Sequence, residues 1–186
     1  MESLIYFIFG ATVVASIWLF RTKKLSFLNQ NESHYSGKKP TFNIKDTLSG
    51  ELLCEGIIFG PTGVVNSRFV ADMNAIWDGN KGIINERFVY DNGSVQDRKW
   101  VLTIMDSGKI FAEASDLIGT GTGVQSGTTI NLNYNIKLPQ DAGGHELTVV
   151  DWMYLLSNGN IMNRSQFYKY GIKVGELVAT IRKKDF

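Results

Sequence analysis

Residues 147–181, LTVVDWMYLLSNGNIMNRSQFYKYGIKVGELVATI, decide the fold. The first run alternates so that Leu147, Val149, Asp151, Met153 and Leu155 share one face, as side chains do along a strand. Ser157-Asn158-Gly159-Asn160 is a turn signal, and a second run, IMNRSQFYKY, follows it. A three-residue loop at Ser157-Asn158-Gly159 sets Met153 opposite Asn163, Trp152 opposite Arg164 and Asp151 opposite Ser165. Arg164 over Trp152 would then be a cross-strand cation–π contact. A carboxylate among apolar neighbours, as Asp151 is, must be either paired or functional.

The same pattern extends upstream to Phe42. ELLCEGIIF stops at Gly60-Pro61-Thr62-Gly63, VVNSRFVADMNAIW at Asp78-Gly79-Asn80, IINERFVY at Asp91-Asn92-Gly93 and VQDRKWVLTIM at Asp106-Ser107-Gly108. KIFAEASDLIG, TTINLNYNIKL and HELTVVDWMYLL follow, and KVGELVATI comes last. Runs about 10 residues apart, broken by Asn-Gly and Asp-Gly turns, predict an antiparallel up-and-down sheet. Roughly eight or nine such strands can close into a small barrel that leaves no exposed edge. No stretch after Phe42 has a helical period. The predicted fold is all-β: an up-and-down antiparallel barrel preceded by a single N-terminal transmembrane helix.

Hairpin chemistry also fixes a register at Asp91-Asn92-Gly93. A three-residue loop pairs Tyr90 with Ser94, and then Phe88 faces Gln96, Glu86 faces Arg98 and Ile84 faces Trp100. A two-residue loop would set Arg87 against Arg98, a destabilising like-charge pair. The preferred register places Glu86 and Arg98 among Ile84, Phe88, Tyr90, Trp100 and Leu102, as an ion pair lining a barrel interior. Such a pair either closes the barrel structurally or anchors the head group of an apolar ligand. The candidate ligand-binding residues are Glu86, Arg98, Trp100, Asp151, Trp152, Asn163 and Arg164. On the functional reading, Asp151, Trp152, Asn163 and Arg164 form the polar end of a cavity; on the structural one, a donor such as Ser165 or Lys169 satisfies Asp151. Asp116, an acid just before a turn, reads as structural.

Residues 4–20, LIYFIFGATVVASIWLF, carry no charge and end at Arg21-Thr22-Lys23-Lys24. A secretory signal would place basic residues before the apolar core and a small-x-small cleavage site after it. Here Glu2 precedes and the basic residues follow, and no cysteine stands after the run as a lipoprotein acceptor. The reading is an uncleaved single-pass anchor over 1–24, a polar linker over 25–41 and a barrel domain over 42–186. The basic flank favours a cytoplasmic domain.

Nineteen basic and eighteen acidic residues leave a net charge of +1, so no basic excess calls for nucleic acid. The lone Cys54 allows no internal disulfide, and His34 and His145 have no ligand-spaced partner, so no metal or cofactor is expected. Gly119-Thr120-Gly121-Thr122-Gly123 resembles a phosphate loop, but β-rich sequence follows where such a loop must open a helix. No nucleophile–base constellation stands out, so no catalytic residue is assigned.

Together, LCEGIIFGPTG at 53–63, Glu86-Arg87-Phe88, Asp91-Asn92-Gly93, Arg98-Lys99-Trp100, Asp151-Trp152-Met153-Tyr154, Asn163-Arg164-Ser165 and Lys169-Tyr170-Gly171-Ile172 resemble the bacterial domain-of-unknown-function family 3833. The resemblance spans residues 40–181. It implies a lipocalin-like barrel in a bacterial membrane setting, and no established reaction. The family is rich in lipoproteins, which would place the domain in the periplasm; this chain, with its anchor and basic flank, resembles the alphaproteobacterial branch. The expected location is the bacterial inner (plasma) membrane, single-pass. Two functions remain open. One is a tethered barrel that binds membrane lipid, a fatty acid or a similar apolar ligand. The other is an accessory or assembly subunit of a membrane complex, with Gly10, Ala11, Ala15 and Ser16 packing the helix among partner helices. The interior separates them, since bulky side chains throughout would leave no pocket.

Overall fold

The computed structural model describes residues 2–184. Ten strands follow in order: β1 Gly50–Phe59, β2 Val65–Asp78, β3 Lys81–Tyr90, β4 Val95–Ile104, β5 Lys109–Glu113, β6 Gly121–Ser126, β7 Thr129–Lys137, β8 Glu146–Leu155, β9 Ile161–Lys169 and β10 Ile172–Lys183. Each pairs with the next, and β10 closes on β1. The hairpins have the register their turns require. Glu86 stands opposite Arg98 and Ile84 opposite Trp100. Asp151 stands opposite Ser165, Trp152 opposite Arg164 and Met153 opposite Asn163. Alternation then fills the inside with Phe69, Ala71, Met73 and Ala75 from β2, and with Ile130, Leu132, Tyr134 and Ile136 from β7, all buried.

The strand absent from the sequence reading is β6, built from the glycine run that resembled a phosphate loop. A Cβ on Gly123 would run into the Asn131 carbonyl oxygen and the Leu132 side chain, and one on Gly121 would lie 3.0 Å from Tyr134 Cβ. The missing side chains that hide this strand from a hydrophobicity pattern are what let β7 pack against it.

A second departure is a one-turn helix where no helix was expected. We label the N-terminal helix Glu2–Lys24 α1 and this turn, Ile44–Thr47, α2. Asn43 caps α2 by accepting from Lys45 N at 3.1 Å. The Ile44 N–H donates to Gln125 Oε1 at 2.9 Å and the Phe42 N–H to the Gly127 carbonyl at 2.7 Å. The Trp77 indole N–H donates to the Leu48 carbonyl at 2.6 Å. With its polar groups met, the segment drives Phe42, Ile44 and Leu48 into the barrel, where they are 0%, 1% and 3% exposed. This end is plugged. At the opposite end the inward residues Phe88, Tyr90, Phe167 and Leu177 are only half-buried.

The N-terminal residues through His34 form a compact unit of their own, and the barrel unit begins at Tyr35. Glu2–Thr22 is a helix long and apolar enough to cross a membrane, with a mean hydropathy of 2.0 and no part buried. The expected linker carries two short helical turns, Phe27–Asn29 and Glu32–His34. From Tyr35 onward it belongs to the barrel: the Tyr35 ring lies 5.3 Å from Trp152 and 5.9 Å from Tyr154, centroid to centroid, and covers the outer face of β8.

Candidate ligand-binding site

Between the plug and the half-buried end the side chains do not fill the barrel. A cavity of about 140 Å³ remains. Its wall is largely apolar, with Met73, Ile84, Leu102, Leu132, Met153 and Phe88 among the residues that form it. At mid-depth the lining turns polar. Glu86 from β3, Arg98 from β4, Tyr134 from β7, Asp151 from β8, and Asn163 and Ser165 from β9 all face the same space, with Cys54 from β1 beside them. An apolar chamber with a few converging polar groups is the usual composition of a small-molecule site.

Asp151 is 8% exposed and met by neutral donors alone. Asn163 Nδ2 and Ser165 Oγ donate to Oδ1 at 2.5 and 2.8 Å, and the Tyr134 hydroxyl donates to Oδ2 at 3.2 Å. Burial pushes the Asp151 carboxyl above the usual carboxylate range, against the pull of these donors. Burial likewise raises the Tyr134 phenol well above its ordinary value and pushes the Cys54 thiol up to about 12.

Arg98 does not form the expected ion pair with Glu86. Its fork turns to Asp116, in the loop after β5, with Nε at 3.2 Å from Oδ1 and Nη2 at 3.0 Å from Oδ2. Its guanidinium also lies 4.1 Å from the Trp100 ring centroid. Nη2 is in ionic contact with Asp116 but makes no well-aligned hydrogen bond, and it is buried. Burial works against the charge of Arg98, yet Tyr134, Glu86 and Asp116 together hold its pKa above the ordinary value. Glu86 is left with no ion-pair contact among the described residues. Burial pushes its carboxyl up to about 7; Arg98 and the Trp100 indole N–H pull it down, and Asp151 and Asp116 push it further up. The misassignment has a simple cause. Cross-strand register fixes which residues face each other, but a long guanidinium reaches past its neighbour to a loop that register does not describe.

The structure divides the residues singled out from sequence. Glu86, Arg98, Trp100, Asp151 and Asn163 line the cavity. Trp152 and Arg164 do not; they lie on the outer face, because residues adjacent to an inward Asp151 and an inward Asn163 must point away. Trp152 is buried there against Tyr35 and Tyr154. Arg164 Nε pairs with Glu176 at 2.6 Å, and Lys173 and Gln166 also bind that carboxylate. Ser165 is the donor that satisfies Asp151, whereas Lys169 reaches His145 at 3.0 Å. The site residue missed from sequence is Tyr134. The alternation Ile130, Leu132, Tyr134, Ile136 in TTINLNYNIKL marks it as inward.

The sequence profile of the family described as "Protein of unknown function (DUF3833)" matches residues 23–183. The chain belongs to the DUF3833 family. No functionally curated protein matches it. Among solved structures, the barrel is similar to that of the S-type phycobiliprotein lyase CPES from Guillardia theta. The TM-score is 0.59 at 11% identity, over 84% of this chain and 99% of that one. At that identity the likeness speaks for the fold alone: this DUF3833 member is a closed, lipocalin-like antiparallel barrel with an apolar N-terminal helix.

Proposed function

We propose that this DUF3833 protein is a membrane-tethered binding module that holds an apolar small molecule, or the end of a lipid, inside its barrel. One observation carries the reading. The interior keeps a cavity of about 140 Å³ with polar groups at its mid-depth, where a purely structural barrel of this size fills with side chains. An apolar cavity of roughly 150 Å³ accommodates benzene. A molecule of that size fits as the barrel stands, and a longer chain would have to extend through the half-buried end past Phe88 and Phe167. In this reading Glu86, Arg98, Trp100, Asp151 and Asn163 engage the ligand's polar group and the apolar wall takes its body. The likeness to a lyase barrel is compatible with ligand binding and assigns no reaction here. Helix α1 serves as a single-pass anchor in the bacterial inner membrane, and Arg21, Lys23 and Lys24 favour a cytoplasmic barrel.

Native mass spectrometry of the full chain extracted from membranes in mild detergent tests this. The reading expects a bound molecule on the folded protein, lost in Met153→Trp, which fills the cavity. A bare protein with an unaltered mass in both forms would refute it. A partner subunit in place of a small molecule would support the assembly-subunit alternative.

A further inference from the structure

The cavity's charges and hydrogen-bonding groups narrow the ligand class; this inference rests on the binding reading above. Three carboxyl groups, Glu86, Asp116 and Asp151, surround one cation, Arg98. That cation is already engaged, with Asp116 on its fork and the Trp100 ring against its guanidinium. Asp151 is held by neutral donors, and Glu86 has no ion pair among the described residues. An incoming carboxylate or phosphate would add a further negative charge to an enclosed acid-rich space, where charges interact far more strongly than in water. Anions are therefore disfavoured. A bare ammonium fails for a different reason. Arg98 lines the cavity and carries only donors, of which Asp116 takes part, so the site calls for an acceptor, and an ammonium offers none while bringing a second cation beside Arg98. The Glu86 carboxyl, on the neighbouring strand and directly opposite Arg98, receives the Trp100 indole N–H and has acceptor capacity for a further donor.

A hydroxyl is the smallest neutral group that does both: its oxygen accepts from Arg98 while its proton is donated to Glu86. We infer that the ligand of this barrel carries a neutral hydroxyl head on an apolar body whose enclosed part is about the size of one benzene ring. Phenols and short alcohols, or a longer hydroxyl-bearing amphiphile with only one end enclosed, belong to this class. Free fatty acids and phosphate head groups do not.

The experiment uses the full chain in detergent with methyl-labelled methionine. Met73 and Met153 line the cavity, while Met105 is exposed and reports non-specific partitioning. Four probes of similar size are titrated: phenol, toluene, benzoate and benzylamine. The expected result is saturable shifts of the Met73 and Met153 methyl signals with phenol, with Met105 unmoved. Phenol should bind at least about tenfold more tightly than each of the other three, on the scale of one well-made polar contact. Arg98→Met should reduce phenol to the level of toluene while leaving toluene binding as in wild type. If benzoate or benzylamine binds as tightly as phenol, the cavity is a ligand site but the neutral-hydroxyl assignment is wrong. If toluene matches phenol, the polar cluster is structural and the assignment again falls. If no probe moves Met73 or Met153, the binding reading itself falls, and the inference with it.

Discussion

Glu86 sits on a strand whose alternation makes it face inward, and enclosure rather than a partner sets its protonation. Its carboxyl ionises at about 7 in the folded protein against an ordinary value of 4.5, so folding takes up a proton. The corresponding stability is fully present below about 4.5 and is lost as pH rises through about 7. Thermal and chemical unfolding from pH 4.5 to 8 should therefore show wild type losing up to about 3 kcal/mol relative to Glu86→Gln as pH rises. A difference between the two that stays flat would contradict the account. Arg98 is coupled instead to Asp116, whose side chains are 17% and 25% exposed. Arg98→Met should cost about 2–3 kcal/mol, somewhat less than a fully buried pair would. Adding Asp116→Asn should recover part of that loss, because the uncompensated carboxylate goes with it. Strictly additive losses in the double mutant would refute the pairing. At this scale the sequence revealed the neighbours and not the partners. Turn chemistry placed Glu86 beside Arg98 and Asp151 beside Ser165, since hairpin register is local. Asp116 came from a loop whose return to β4 no local rule describes.

At the scale of elements, nine strands were legible because their apolar residues alternate between recognised turns. Strand β6 and helix α2 were not. β6 carries its packing information as absent side chains, and α2 is a single turn held by distant groups, Gln125, Gly127 and Trp77. β6 gives a firm prediction. Gly123→Ala puts a methyl group against backbone, the Asn131 carbonyl, which cannot yield as a flexible side chain would. It should destabilise by several kcal/mol, well beyond the roughly 1 kcal/mol typical of point changes. A melting temperature within a few degrees of wild type would count against the placement of β6. The reading of Trp152 and Arg164 as cavity residues failed at this scale too, since alternation along β8 and β9 already assigns them to the outside.

The whole molecule couples a helix able to cross a membrane to a closed barrel. If the helix is an uncleaved anchor, N-terminal sequencing of protein recovered from membranes should begin before residue 4; a start beyond Phe20 would mean a removed signal. A green fluorescent protein fused to the C-terminus should fluoresce if the basic flank retains the barrel in the cytoplasm, and a dark fusion beside an active periplasmic reporter would reverse that orientation. Fold class and the apolar N-terminal helix were readable because both are written in long periodic or apolar runs. The cavity was not, because an internal void is the sum of many side-chain volumes that no single motif records. The most direct test of the binding claim is a crystal structure of the full chain taken from membranes without delipidation. The account predicts continuous non-protein density between Trp100, Met153 and Arg98, with a polar end at Glu86. Ordered water alone, or side chains closed over the space, would contradict it.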